Sequence, residues 1–263
     1  MNILFIGDIV GRAGRLALAS RLNRLIDLNN VDLVVANGEN AAAGFGLTPD
    51  IARELFDLGV DVITSGNHIW DKKEIYPWLD SQPKLLRPAN YPDGAPGRGA
   101  GIFTTNAGTK VGVLNLEGRV FMNALECPFR KADVLVEELR RQTPVILVDF
   151  HAEATSEKVA LGHYLDGRVS IVVGTHTHVQ TADERVLPGG TAYISDAGMT
   201  GSRDAVIGIR KELAIERFLT QLPVRFEVAK RDVVLCGALF TVDEEAGYAT
   251  GVERIFVEAG DND

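Results

Sequence analysis

The chain has 263 residues, 46% of them apolar and 24% charged, enough to bury one large core and unlike a disordered or fibrous protein. Its formal net charge of −9 argues against wrapping a long nucleic acid, which wants clustered Lys and Arg, but not against a small phosphate ester drawn in by a metal ion. No stretch approaches the roughly 18 apolar residues of a membrane span. The opening residues carry no basic leader, and Cys127 and Cys236 lack metal-ligand spacing and read as reduced thiols of a cytoplasmic protein.

An apolar run over residues 3–6, ended by Gly7 and Asp8, predicts a first strand. Leu16, Ala19, Leu22 and Ile26 then recur at spacings of three and four between arginines, the pattern of a solvent-backed helix. Residues 31–36 predict a second strand, running into Asn37-Gly38-Glu39-Asn40. Thr48-Pro49-Asp50 is a helix start, with Thr as cap and Pro at the first position, and Ile51, Leu55 and Leu58 share one face before Gly59. A third strand over 60–64 ends in Ser65-Gly66-Asn67-His68. Such nearly pure apolar strands, alternating with helices, point to a parallel sheet covered on its faces.

Pro77, Pro83, Pro88, Pro92 and Pro96 break up residues 75–98. Residues 100–105 and 110–116 predict a hairpin around Asn106-Ala107-Gly108. Helices are expected over 129–141 and 156–165, and strands over 145–150 and 169–173, the latter entering Gly174-Thr175-His176-Thr177-His178. Short strands over 184–187 and 191–194 flank Pro188-Gly189-Gly190. Residues 199–210 read as a glycine-punctuated loop over the site, 213–219 as a helix, and 226–229, 233–241 and 252–257 as closing strands. With hairpins crowding the second half, a mixed sheet, or two sheets packed face to face with helices outside, fits better than a doubly wound fold. The expectation is a single domain over 1–263, with room for a small cap or insertion within 75–110 or 180–210.

Chemistry-bearing residues collect at strand ends. Asp8 follows the first strand, Glu39 and Asn40 the second, Asn67 and His68 the third; His151 follows the strand at 145–150, and His176 and His178 the one at 169–173. The C-terminal ends of parallel strands share an edge, and ligands bind there. Two carboxylates, three histidines and one or two asparagine carbonyls suffice for two divalent metal ions about 3.5–4 Å apart, one carboxylate bridging. Mixed nitrogen and oxygen donors suit Mn, Fe, Zn or Co better than Mg or Ca. Blander roles compete at single positions: Asp8 as a turn or helix cap, Asn67 bonded to its own loop. His163 lies in a helical context away from any strand end and reads as a surface or packing residue. Spacing alone does not separate His68 from the metal ligands.

Gly66-Asn67-His68 and Gly174-Thr175-His176-Thr177-His178, with Gly7-Asp8 and an isolated His151 between, resemble the motifs of calcineurin-like metallophosphoesterases. That resemblance implies an α/β fold, a four-layer α/β/β/α sandwich of two mixed sheets flanked by helices, around a dinuclear metal centre. Two departures are evident. The usual Asp-x-His is here Asp8-Ile9-Val10, and the usual second motif, Gly-Asp followed by another Asp, is Gly38-Glu39-Asn40. Both departures, with Gly7-Asp8-Ile9-Val10-Gly11 and Asp149-Phe150-His151-Ala152-Glu153, resemble a narrower bacterial branch of cytoplasmic phosphodiesterases acting on cyclic nucleotides, 2′,3′-cyclic ones included. The likeness spans nearly the whole chain.

It implies that Glu39 bridges both ions, that Asp8, Asn40 and His178 complete one site, and that Asn67, His151 and His176 complete the other. His68 would face the phosphate, stabilising developing charge or protonating the leaving oxygen. An asparagine carbonyl in place of a histidine makes the first site harder and favours Fe or Mn over Zn. The expected reaction is hydrolysis of a small phosphodiester, a 2′,3′-cyclic nucleotide ahead of a 3′,5′-cyclic one, by a metal-bridging hydroxide attacking phosphorus with His68 assisting. Phe45, Trp70 and residues 199–203 are candidates for contact with the base. No long nucleic acid and no membrane are expected as partners. Competing readings are a broad phosphomonoesterase, a nuclease-like phosphodiesterase and a non-catalytic metal-binding regulatory protein. Apolar residues of the hairpin region and the C-terminal strands suit either the core or a face between copies in a homo-oligomer.

Overall fold

The computed structural model describes residues 1–260 of the chain. The first half runs through β1 (Asn2–Ile6), β2 (Asp8–Ile9), α1 (Gly11–Asn29), β3 (Leu33–Asn37), α2 (Pro49–Asp57) and β4 (Val62–Thr64). Two 3₁₀ turns (Asn67–Asp71 and Lys73–Ile75) and α3 (Tyr76–Ser81) follow, then β5 (Ala100–Thr104) and β6 (Lys110–Glu117). The second half comprises α4 (Pro128–Arg140), β7 (Ile146–His151), α5 (Thr155–Leu165), β8 (Ile171–Thr175), β9 (Arg185–Val186) and β10 (Ala192–Ile194). It closes with β11 (Met199–Ser202), α6 (Lys211–Thr220), β12 (Val233–Val242) and β13 (Ala249–Gly260).

Among the described residues, seven strands form one sheet in the order β2-β11-β12-β1-β3-β4, with β13 beside β12. Six form the other, ordered β5-β6-β7-β8-β10-β9. Both are mixed: β1, β3 and β4 run parallel in the first and β6, β7, β8 and β10 in the second, with antiparallel neighbours at β12 and β5. Strand alternation distributes the side chains between layers. Ile3 and Phe5 of β1 share a core with Leu147, Ile171 and Val173 of the opposite sheet, whereas Leu4 and Ile6 pack with Leu18 and Leu22 of α1. Leu114 and Val148 pack with Val136 and Leu139 of α4 and Leu161 of α5. Each sheet is therefore buried on both faces, which is why its strands read as continuous apolar runs. The layers are α/β/β/α.

Local signals behaved unevenly. Thr48 caps α2 as its sequence predicts, its hydroxyl accepting from the Ile51 amide at 3.3 Å. The helix at residues 11–29 buries Ala13, Gly14, Ala17, Leu18, Leu22 and Leu25; of the expected stripe Leu22 is buried and Ile26 packs against the core, whereas Leu16 is only half-buried and Ala19 is exposed. The reason is steric: a Cβ on Gly14 would lie 2.2 Å from the Thr200 carbonyl oxygen, so the small-residue side approaches β11 where a leucine would not fit. Residues 199–210 are not all loop, because Met199–Ser202 pairs with β2 and with Val233 and Val234 of β12. The strand expected over 226–229 reduces to one bridge between Val228 and Ile209. Cys127 and Cys236 are both free, and no helix among the described residues is long and apolar enough to cross a membrane.

Candidate metal centre

The strand ends of both sheets meet at one place. β1 hands over to Asp8, β3 to Glu39 and Asn40, β4 to Asn67 and His68; from the opposite sheet β7 ends in His151 and β8 leads to His176 and His178. Asp8, Glu39, Asn40 and His151 are buried, each at most 2% exposed. Gly66 lets the β4 loop come this close, since a Cβ there would sit 2.1 Å from the His151 ring.

His151 is the hub. Its Nε2 lies 3.1 Å from Glu39 Oε1, 3.2 Å from Asn67 Oδ1 and 3.0 Å from His176 Nδ1. One ligand atom each from Glu39, His151 and His176 lies within 4.8 Å of the others, a spacing that can hold a metal ion. Beside this group, Asn40 Nδ2 stands 3.1 Å from Glu39 Oε1 and 3.2 Å from His178 Nε2. Asp8 Oδ1 is 3.9 Å from His178 Nε2 and has no hydrogen-bond partner, although it is buried. All seven residues singled out as ligands in the sequence thus come together around Glu39.

The far nitrogen of each imidazole fixes the near one. The Thr175 hydroxyl donates to Asp149 Oδ1 at 2.8 Å and so accepts from His151 Nδ1 at 2.9 Å. His176 points Nε2 at Glu153 Oε2, 3.1 Å away, and His178 donates from Nδ1 to the Ile207 carbonyl at 3.0 Å. In its neutral form each ring therefore turns a lone pair inward, the arrangement of metal-binding histidines with oriented outer partners. His151 Nε2 and His176 Nδ1 stand 3.0 Å apart, and with both rings neutral their lone pairs face each other, which a cation between them would relieve.

With no cation bound, a proton on His151 takes its place and offsets the carboxylates. Burial raises the Asp8 carboxyl, against the pull of His178 and His151. Burial also works against Glu39, but the charge and hydrogen bond of His151 bring it down to about 2. Burial disfavours charge on His151 too, yet Glu39, Asp8 and Asp149 outweigh it and raise the ring to about 9. His176 falls to about 3 through burial and its proximity to His151. The ion pairs of Asp8 and Glu39 are with imidazoles alone among the described residues. Buried carboxylates without Lys or Arg call for a cation of another kind. On donor chemistry, tautomers and the orphaned Asp8 oxygen, these residues fit divalent metal.

His68 stands apart from the seven. Its amide donates to Glu39 Oε2 at 3.0 Å, its Nδ1 lies 2.8 Å from Asp71 Oδ2, and its ring meets Phe45 edge-on at 5.1 Å between centroids. It lines an open cavity of about 340 Å³ together with Glu39, Asn40, Glu153, His176 and His178. Ile207 and Ile209 form part of that lining, so the residues after β11 do sit over the site. Trp70 does not; it packs against Tyr76 and Tyr91. His163 is exposed on α5.

Reading the sequence missed the layer beneath. The Asn37 side chain accepts from the Glu39 amide at 3.1 Å and reaches Asp149 Oδ2 and His151 Nδ1, each at 3.4 Å. Asp196 Oδ2 accepts from the amide and hydroxyl of Thr177 at 3.1 and 2.7 Å and from Lys158 Nζ at 2.7 Å. Thr177 lies between His176 at φ 101° and His178 at φ 66°, both in the left-handed region. Asp196 and Lys158 therefore stake down a loop that holds two imidazoles in an unfavourable backbone conformation. Ser195-Asp196 and a lone Lys158 within a helix carry no sequence signal for such roles.

Comparison with known proteins matches this geometry to a family. A family model described as "YmdB-like protein" matches residues 4–255. The 2′,3′-cyclic-nucleotide 2′-phosphodiesterase of Bacillus subtilis (strain 168) is 51% identical over 257 residues, 98% of this chain and 97% of the relative. A crystal structure described as a novel phosphatase from Mycoplasma pneumoniae superposes with a TM-score of 0.93 at 35% identity, covering 99% of this chain and 94% of the other. A protein of Thermus thermophilus, described as hypothetical, gives 0.92 at 43% identity over 98% and 99%.

Proposed function

Since this chain belongs to the YmdB-like protein family, within the calcineurin-like phosphoesterases, we propose that it is a metal-dependent phosphodiesterase hydrolysing 2′,3′-cyclic nucleotides. The observation that carries this reading is the meeting of three imidazole nitrogens with Glu39 and the unpartnered Asp8 oxygen. Asp8, Glu39, Asn40 and His178 would hold one ion, and Glu39, Asn67, His151 and His176 a second. Turning the Asn40 amide over exchanges its near-isosteric nitrogen and oxygen and points the carbonyl inward. The oxygen-rich first set favours Fe or Mn over Zn. When bound, the two ions supply Lewis acidity toward a phosphoryl oxygen and lower the pKa of water toward neutrality.

The chain's own groups do the rest. Asp71 engages His68 Nδ1 and leaves Nε2 as the nitrogen that can donate to the leaving ester oxygen. The bond from the His68 amide to Glu39 fixes the ring's distance from the carboxylate at the centre. The cavity lining includes Glu153 and no Lys or Arg, which suits a monoanionic diester better than a dianionic monoester. Its volume, about 340 Å³, suits one nucleotide and not an extended strand. Opening a strained five-membered cyclic phosphate lowers the barrier further, and the product is a nucleoside monophosphate.

The test is to compare turnover of 2′,3′-cyclic nucleotides, 3′,5′-cyclic nucleotides, bis-p-nitrophenyl phosphate and mononucleotides by one preparation, with metal counted by anomalous scattering. Two ions per chain and fastest turnover of 2′,3′-cyclic substrates are expected. Faster release of phosphate from mononucleotides would overturn the diesterase reading in favour of a phosphomonoesterase.

A further inference from the structure

Resting on that reading, we infer that the cavity's apolar wall, whose accessible members are Phe45, Ile207 and Phe226, is the contact surface for the nucleobase, and that it grips any of the four bases without reading its edge. Apart from Thr177, the polar side chains of the lining belong to the metal-ligand cluster, His68 and Glu153. Thr177, the remaining polar side chain of the lining, has its hydroxyl committed to Asp196 at 2.7 Å. A phosphate bound at the cluster therefore leaves its sugar and base to meet hydrocarbon and aromatic surface. Aromatic side chains hold bases by stacking, which every base can satisfy, and an apolar wall discriminates weakly because a poor match leaves no buried polar group unpaired.

The wall is built to hold its position. The Arg217 guanidinium backs the Phe226 ring at 5.8 Å, and the Phe45 ring rests edge-on against His68. Ile207 adopts φ 47°, a conformation that a β-branched residue disfavours. It is held there by its carbonyl, which accepts from His178 Nδ1 at 3.0 Å, and by the bridge between Val206 and Ile209. One residue thus joins the apolar wall to the ring that faces Asp8, so the base is presented at a set distance from the phosphate.

The experiment measures kcat/KM for the 2′,3′-cyclic phosphates of adenosine, guanosine, cytidine and uridine and for a base-free probe, 1-O-methylribose 2,3-cyclic phosphate. Wild-type enzyme, Phe226→Ala, Phe226→Tyr and Ile207→Ala are compared, each checked for a native melting transition. The four nucleotides are expected within about tenfold of one another, all ahead of the base-free ring. Phe226→Ala should cut that lead by roughly 5- to 150-fold, the cost of losing a stacked aromatic, while Phe226→Tyr retains it. Ile207→Ala should reduce the lead in the same direction. Preference for one base by more than about a hundredfold, or a lead that survives both alanine variants, overturns the assignment of the wall. Turnover of the base-free ring with no lead for nucleotides overturns the wall alone and leaves the phosphodiesterase reading standing. No turnover of any cyclic phosphate overturns both.

Discussion

Replacing Lys158 with methionine tests whether the double-histidine loop depends on a buried charge pair. Lys158 Nζ lies 2.7 Å from Asp196 Oδ2, with side chains 2% and 1% exposed. Methionine keeps most of the stem's volume and removes only the ammonium, leaving a buried carboxylate with no cation. Breaking one side of such a pair costs about 3–5 kcal/mol, a large share of the roughly 5–15 kcal/mol that holds a typical domain together. Adding Asp196→Asn removes the second charge while the amide oxygen can still accept from Thr177, so the double variant should recover part of that loss. Urea unfolding of chelator-treated wild type, single and double variants reads these differences directly. The same carboxylate anchors Thr177 between His176 and His178. A slackened loop should therefore weaken metal binding about 10- to 100-fold, read by competition with a chromophoric chelator. A loss below about 1 kcal/mol together with unchanged metal affinity would refute the argument, because it would mean Asp196 carries no uncompensated charge when Lys158 is gone.

Four further outcomes are expected. Chelation should abolish phosphodiester hydrolysis and lower the melting temperature, and Mn or Fe at a hundredfold excess over Kd should return about 2.7 kcal/mol of stability; a melting curve indifferent to chelator and metal would contradict a metal centre. His68→Ala should lower kcat about 10²- to 10⁴-fold with metal stoichiometry unchanged, and loss of bound metal would instead make His68 a ligand. Burial pushes the Glu117 carboxyl from 4.5 up to about 7, against the pull of His151. The folded state therefore binds the proton more tightly than the unfolded one, so this contribution is complete below about pH 4.5 and is lost as pH rises through about 7. In chelator-treated protein Glu117→Gln should flatten the fall in unfolding free energy from urea titrations between pH 5 and 8 by an amount on the order of 3 kcal/mol; an unaltered pH profile would contradict it. Burial pushes the Cys236 thiol up to about 12, so a thiol reagent at pH 8 should modify Cys127 in the native protein and reach Cys236 only on unfolding.

Much of the site was legible because the candidate metal ligands at strand tips interrupt apolar runs with residues that have no packing reason to be there. Asp8, Glu39, Asn40, Asn67, His151, His176 and His178 all stand out that way, and the structure gathers them. Asp8 as a helix cap is excluded by position, since α1 is capped at Val10 with no side-chain hydrogen bond. The fold's layers were legible for the same physical reason, since strands buried on both faces have no polar side to show. Register and close approach were not. Periodicity alone gave no weight to the small residues of α1, and nothing in Met199–Ser202 announces that it pairs with Asp8 and Ile9.

The supports of the three imidazoles show where sequence reading runs out. His151 is oriented by a threonine and an aspartate, both inside apolar strands, where a polar residue is informative only once its neighbour across the sheet is known. β7 and β8 run parallel with Asp149 opposite Val173 and His151 opposite Thr175, and that register brings the three side chains together. Glu153 two residues after His151 was visible as part of a motif but had no assigned role until His176 folded back to meet it. His178 is oriented by the Ile207 carbonyl, and every residue carries a carbonyl, so no choice of side chain could mark it. What residue type does constrain there is the cost: a β-branched side chain at φ 47° persists only where the surroundings hold it. Ile207→Gly relieves that strain and removes part of the wall. If the tether matters to the site, the glycine variant should be no less stable than wild type and yet bind metal less tightly, and a stability loss with unchanged metal affinity would show that the loop serves packing alone.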